Sequence, residues 1–216
     1  MAESSASSAA TASAAAPSST SPDVRVLVLC TANQCRSPMA EVILRDRLSE
    51  MGVEAEVASA GRMVGDQPAS GGAVEVMAAR GLDLSEHRSR TCAKDDLRQA
   101  DLVLCMAREH LRDAALAHPD AFGRIFTLKE LVRRGTAIGP RPASQDIAEW
   151  LSRAHHGRTH AGLLGSSEAD DVGDPMGGSE EDYREAAELI DGLLGRVVSL
   201  MWPASNVDRP ATPRRA

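Results

Sequence analysis

The sequence predicts an α/β protein on a parallel sheet, and three observations carry that reading. Four short runs rich in Val, Leu, Ile and Phe are spread along the 216 residues, each bounded by polar or turn-forming residues. Stretches with apolar residues at helical spacing separate them. Strands that alternate with helices pair in parallel, because each crossover helix returns the chain to the same end of the sheet.

Residues 24–29 form the first strand candidate, a β-branched and aliphatic run that ends at Cys30. After a polar loop a helix begins at Pro38, with Met39, Val42, Ile43 and Leu48 on one face. Ser37 is placed as its N-cap and Pro38 at its first position, where a missing N–H costs nothing. A second strand is expected at 53–58, closed by Ser59-Ala60-Gly61, and a helix at 71–80 that stops at Gly81. Residues 101–106 read as a third strand, 107–117 as a helix and 124–127 as a fourth strand. A last helix at about 180–201 carries Tyr183, Ala187, Ile190, Leu193, Leu194 and Val197 on one side, which suits packing against a sheet.

One core is expected, because the chain is long enough for a single well-buried domain and short for two. Residues 1–23 are almost wholly Ala, Ser, Thr and Pro and lack the apolar stretch of a signal peptide, so they read as a disordered tail. Residues 203–216, with three prolines, three arginines and no periodic apolar face, read the same way. The folding unit is therefore 24–202. It contains an insertion at about 134–171, where Gly, Pro, Ser and a His/Arg-rich stretch surround one helix candidate at 144–156 and otherwise suggest a solvated linker.

The formal net charge of −7 argues against nucleic acid or an anionic membrane as a partner, and no apolar run reaches the roughly 18–20 residues a membrane helix needs. The four cysteines, at 30, 35, 92 and 105, lack the spacing of a zinc cluster or a disulfide framework and suit a reducing, cytoplasmic setting. No metal or other cofactor is expected. His155, His156 and His160 lie close together but have no cysteine or converging carboxylate beside them.

The chemistry concentrates where the first strand ends. Cys30 is followed by Thr31-Ala32-Asn33-Gln34-Cys35-Arg36-Ser37 and a helix start, so five residues separate a cysteine from an arginine. A loop of that size wraps a tetrahedral anion, with successive backbone N–H groups and the helix N-terminus directed at its oxygens. The same field favours thiolate over thiol and makes Cys30 a nucleophile. Arg36 supplies a planar fork for two equatorial oxygens, which a lysine does not. Cys92 and Arg98 share the spacing, yet no β-run feeds Cys92 and residues 93–97 look like a helix opening. The competing view of Cys30, a buried strand-end thiol beside a surface arginine, leaves the strand, loop and Ser-Pro helix start unexplained.

Cleavage of a phosphate ester also needs a proton for the leaving group. Asp174-Pro175 is the chain's single Asp-Pro pair, in a loop before the last helix. Proline holds the preceding residue extended, which aims the Asp174 carboxyl at small entropic cost. Taken alone, Asp174 is as well explained by a turn before a helix.

The run from Val26 through Cys30, Arg36 and Ser37 to Glu41 resembles the signature of the low-molecular-weight protein-tyrosine-phosphatase family. Ser59-Ala60-Gly61, Gly81 to Arg90, Asp101-Leu102-Val103-Leu104 and Asp174 to Ser179 occur in that family's order. The resemblance implies a three-layer flavodoxin-like fold with a four-stranded parallel sheet and the phosphate-binding loop after the first strand. It implies a phosphoprotein phosphatase with a cysteinyl-phosphate intermediate on Cys30, and Asp174 acting first as acid, then as base. By the same resemblance Asn33, Ser37, Ser59 and His87 form a network holding the loop and thiolate, and Gln34 and Met176 line the substrate rim. Ala32 replaces a glycine, which suits the loop only if its φ is negative. The Cys-Thr opening and the run Ile125 to Glu130 look more like the family's phosphoarginine branch, while Gln34 matches neither branch. Two other functions use the same loop. An arsenate reductase would relay a disulfide through Cys92 and Cys105, and an inactive module would only bind phosphate.

Overall fold

The computed structural model of the protein describes residues 22–63 and 65–203. The expected tails therefore lie almost wholly outside the described residues. Four strands, β1 (Val24–Cys30), β2 (Ala55–Gly61), β3 (Leu102–Cys105) and β4 (Ile125–Thr127), make one parallel sheet in the order β2-β1-β3-β4. The helices are α1 (Arg36–Glu50), α2 (Gly71–Ala78), α3 (Lys94–Gln99), α4 (Arg108–Ala117), α5 (Leu128–Ile138), α6 (Ile147–His155) and α7 (Glu180–Met201).

Strand periodicity divides the core in two. Val24, Val26, Val28 and Cys30 point to one side, where they join Met39, Ile43 and Leu48 of α1, Leu131 of α5 and Ile190 and Leu194 of α7. Leu27 and Leu29 point to the other side and meet Leu97 of α3 and Leu111 and Ala114 of α4. Both faces of the sheet are covered, as parallel sheets require, and this is the three-layer flavodoxin-like arrangement that was expected. Strand order reverses at β1, so the crevice between the carboxyl ends of β1 and β3 is the natural ligand position.

The sequence missed one helix and misjudged part of the following segment. Pattern was expected to fail near Arg133, yet α5 runs from Leu128 to Ile138, started by the Thr127 side chain, which accepts from Glu130 N at 3.1 Å. The helix candidate at 144–156 is present as α6, and the solvated-linker reading of the rest of 134–171 is corrected where the segment packs into the core. Trp150, Leu151 and Ala154 of that helix are buried, and Trp150 Nε1 donates to Gly139 O at 3.0 Å. Gly135 of α5 makes this packing possible, since a Cβ there would lie 2.8 Å from the indole ring. Beyond α6, the buried Arg158 binds both carboxylate oxygens of buried Glu130, at 2.9 and 3.0 Å, and stacks on Phe126. His155 and His160 pack against Phe122, with ring centroids 5.0 and 4.1 Å away.

Candidate active site

β1 delivers Cys30 to the crevice, and α1 begins six residues later at Arg36, two residues earlier than the sequence suggested. Cys35, not Ser37, occupies the cap position, and it makes no side-chain cap bond. Ser37 is free for another task. Its Oγ lies 3.0 Å from Cys30 Sγ, and Asn33 N donates to the same sulfur at 3.3 Å. The Asn33 N–H donates to the sulfur, and the Ser37 hydroxyl is within hydrogen-bond distance of it.

Asn33 holds the loop in shape. It adopts φ 56°, a left-handed conformation that asparagine tolerates better than most residues, and its side chain is fully buried. Its Nδ2 donates to Ser37 Oγ at 3.0 Å and to Ser59 Oγ at 2.8 Å, and its Oδ1 accepts from Arg90 N at 2.9 Å. The Asn33 carbonyl oxygen lies 2.8 Å from His87 Nε2. The four residues assigned to one network by resemblance thus meet, and Glu41 extends it by accepting from Ser59 Oγ at 2.5 Å. Among the described residues, Asn33 and Asp66 are the non-glycines with positive φ, so the alanine at position 32 sits in ordinary backbone. The close approach that demands a glycine is at Gly61, the last residue of β2. A Cβ there would stand 2.8 Å from Thr31 O and 2.9 Å from Asn33 N.

Arg36 returns over the loop with a buried side chain. Nη1 donates to Val172 O at 3.1 Å, Nη2 donates to Thr31 Oγ1 at 3.2 Å, and Nη2 also pairs with Asp174 Oδ2. Arg36 Nε is buried with no protein acceptor among the described residues, which leaves a guanidinium donor for an anion. Asp174 is 138 residues away in sequence, and the structure brings it to the arginine. Its Oδ1 accepts from Met176 N at 3.2 Å, so the turn after Pro175 steers the carboxyl group.

The rim residues occupy different settings. Gln34 is half-buried, and its carbonyl oxygen accepts from Ser70 N at 2.8 Å. Met176 is exposed, and Tyr183 OH lies 3.8 Å from its sulfur. Burial pushes the Cys35 thiol up to about 12 and the Cys92 thiol up to about 11. Cys92 precedes α3 and has no anion loop around it, but it lines a cavity of about 160 Å³ that also reaches Cys30. Cys105 is sealed within β3, and burial raises it well above the usual thiol range.

Sequence reasoning missed the anchors of the Asp174 loop. Val172 N donates to Met106 O at 2.7 Å, and Asp170, fully buried, accepts from Arg108 Nε and Arg133 Nη1 at 2.7 Å each. Burial opposes the Asp170 carboxylate, but those two arginines outweigh it and hold the group below the usual carboxylate range. It also missed His110, which is buried at the start of α4 with Nε2 3.0 Å from Thr31 Oγ1. The run Met106 to Leu111 has no local signal that points to Thr31, 79 residues earlier.

A parallel sheet that presents an amide-lined loop, a helix N-terminus and a buried arginine at one point defines a phosphate-handling α/β protein. The chain belongs to the low molecular weight phosphotyrosine protein phosphatase family, whose model matches residues 25–150, and is a phosphomonoesterase of that family. A probable low molecular weight protein-tyrosine-phosphatase, EpsP, of Ralstonia solanacearum is 42% identical over 106 residues, 49% of this chain and 71% of the relative. A protein-arginine-phosphatase of Bacillus subtilis is 28% identical over 170 residues, 78% of this chain and 91% of the relative. Among solved structures, the low molecular weight protein tyrosine phosphatase of T. tengcongensis matches with a TM-score of 0.62 and 34% identity, covering 82% of this chain and 98% of that one. No helix among the described residues is long and apolar enough to cross a membrane.

Proposed function

We propose that the protein hydrolyses phosphorylated proteins through a cysteinyl-phosphate intermediate on Cys30. The observation that carries this reading is the convergence of Cys30 Sγ, held by Ser37 and Asn33, with Arg36 and Asp174 over one loop. In the first step Cys30 Sγ attacks phosphorus while Arg36 binds the equatorial oxygens, and the bond to the leaving group breaks. Asp174 gives its proton to the departing atom. In the second step water attacks the cysteinyl phosphate, Asp174 takes the proton back, and the P–S bond breaks to release thiolate and inorganic phosphate. Every proton is accounted for between Asp174 and water, so the cycle needs no metal. Thr31, Ala32, Asn33, Gln34 and Cys35 supply the backbone of the loop, and Ser59 and His87 support it.

Substrate choice rests on the rim, because the loop is indifferent to what the phosphate is attached to. An aromatic wall would reward a phenyl ring by about 0.5–1.5 kcal/mol beyond area burial. Met176 gives softer contact, and the Gln34 amide offers an acceptor to a guanidinium N–H that phosphotyrosine lacks. We therefore assign weak tyrosine selectivity, with phosphoarginine peptides cleaved at comparable or greater kcat/KM. Matched phosphotyrosine and phosphoarginine peptides test this, repeated with Gln34→Ile. A wild-type preference for phosphotyrosine of about tenfold, or ~1.4 kcal/mol in transition-state binding, would reject it. The acid role has its own test. Asp174→Asn slows release of a poor leaving group far more than of para-nitrophenol, and equal losses on both substrates would remove Asp174 from that role.

A further inference from the structure

We propose that His110 is a positioning residue that sets the guanidinium of Arg36 through the hydroxyl of Thr31. The inference rests on the loop reading above and adds a residue to it. Thr31 Oγ1 is the junction. It accepts from Arg36 Nη2 at 3.2 Å and is hydrogen-bonded to His110 Nε2 at 3.0 Å. Thr31 is only half-buried, so its hydroxyl is free to rotate unless something holds it. His110 is the rigid end of the chain, 1% exposed and fixed at the N-terminal turn of α4.

The chemistry of the imidazole suits this task. Burial, with help from the charges of Arg36 and Arg62, pushes His110 down to about 3, so the ring beside the phosphate clamp is neutral at working pH. A cation at this position would compete with Arg36 for the anion and repel it. A neutral ring offers a hydrogen bond without either penalty. Glu109 Oε1 lies 3.4 Å from the same nitrogen, but it is half exposed and also accepts from Arg62 at 3.0 Å, so it belongs to a surface cluster. His110 Nδ1 is buried with no partner among the described residues. A ring kept in place with one nitrogen unsatisfied is offset by what the other nitrogen does.

The consequence falls on Arg36. Val172 O fixes one terminal nitrogen, and Thr31 together with Asp174 fixes the other, so the plane of the guanidinium is set before an oxyanion arrives. Without the Thr31 restraint the fork would keep its charge and its contacts with Val172 O and Asp174, but would lose one of the three contacts that set its plane.

A double-mutant cycle on inorganic phosphate as competitive inhibitor, with para-nitrophenyl phosphate as substrate, tests the inference. His110→Leu and Thr31→Val should each raise the phosphate Ki and lower kcat/KM by about tenfold, the worth of a typical buried hydrogen bond to a charged group. The double variant should lose no more than either single one. His110→Gln places an amide nitrogen where Nε2 stands and should stay within about threefold of the wild type. Alkylation of Cys30 by iodoacetamide, a neutral probe that does not use Arg36, should proceed at the wild-type rate in all of them. Losses that multiply in the double variant, or a phosphate Ki that His110→Leu leaves unchanged, would overturn the proposal. Should His110→Leu fail to fold, the ¹⁵N shift of His110 Nε2 decides. Saturation with vanadate should move it in the wild type and leave it in place in Thr31→Val; no movement in the wild type overturns the coupling. In Cys30→Ser, where turnover is lost, phosphate affinity is read by calorimetry, and a fall of about tenfold on adding His110→Leu there supports this proposal independently of the catalytic one, while no fall overturns it.

Discussion

Within residues 30–37 the contacts that shape the turn are near in sequence, Cys30 meeting Ser37 seven residues on and Thr31 meeting Arg36 five residues on, while Asn33 and Arg36 also reach Ser59 and Asp174, 26 and 138 residues away. Between residues 139 and 171 the buried charges find their ion-pair partners outside the segment. Arg158 reaches back 28 residues to Glu130, and Asp170 binds Arg108 from 62 residues away. The loop keeps one buried donor, Arg36 Nε, without a partner among the described residues, whereas the later segment pairs its buried charges with arginines and carboxylates in the core. One region is shaped for chemistry and the other holds α5, α6 and the Asp174 loop together. Substitutions should separate these roles, with activity lost in the first and stability in the second.

The largest expected effect is Cys30→Ser, which should reduce para-nitrophenyl phosphate turnover to background while the thermal melt stays near that of the wild type. Turnover that survives would break the comparison at its strong end. Next is Glu130→Leu, which strands a buried guanidinium on Arg158. Denaturant unfolding should show a loss of about 3–5 kcal/mol, with kcat per folded molecule unchanged, and Glu130→Leu with Arg158→Met should recover most of it. Loss of kcat in the folded protein would mean that the two regions are not separate.

A smaller effect concerns pH. His110 in the folded protein is pushed down to about 3, against about 6.5 in an unfolded chain, so the unfolded state binds more protons between those values. Its contribution is full above pH 6.5 and falls as pH drops towards 3, by up to about 1.4 kcal/mol per unit. His110→Gln should flatten that slope. His155, lowered in the same direction by burial but half-buried beside Phe122, should matter less when replaced by Gln. Equal flattening by both would contradict the difference in burial. Smallest is Cys92→Ser. Although Cys92 shares a cavity with Cys30, its activity should stay within about twofold of the wild type, because a thiol raised by burial is a poor relay. A collapse would revive the arsenate-reductase reading.

What the sequence revealed follows the same division. The loop was legible because strand, Cys30, Arg36 and helix start fall within one short window, and because Asn33, Ser37, Ser59 and His87 sit in recognisable runs. The end of β1 at Cys30 was legible, but the start of α1 blurred because Ser37 looks like a cap residue, while its hydroxyl in fact serves the Cys30 sulfur. Helix α5 carried readable signals, with Thr127 and Glu130 at its start and Leu128, Leu131, Val132 and Gly135 on one face. Arg133 and Arg134 interrupted the apolar run and hid them. Trp150 fell within the helix expected at 144–156, but Arg158 was not placed, since a polar, Gly- and His-rich stretch reveals nothing of a buried partner 28 residues upstream. His110 was invisible for the same reason.

The most direct test of the account is to catch the covalent step. Asp174→Asn should be mixed with para-nitrophenyl phosphate, quenched in acid during turnover and mapped by mass spectrometry. Loss of the base that activates water should let the intermediate accumulate, and the phosphoryl group should be found on Cys30. Phosphate on another cysteine, or steady turnover by Cys30→Ser under the same conditions, would contradict the assignment of Cys30 as the nucleophile.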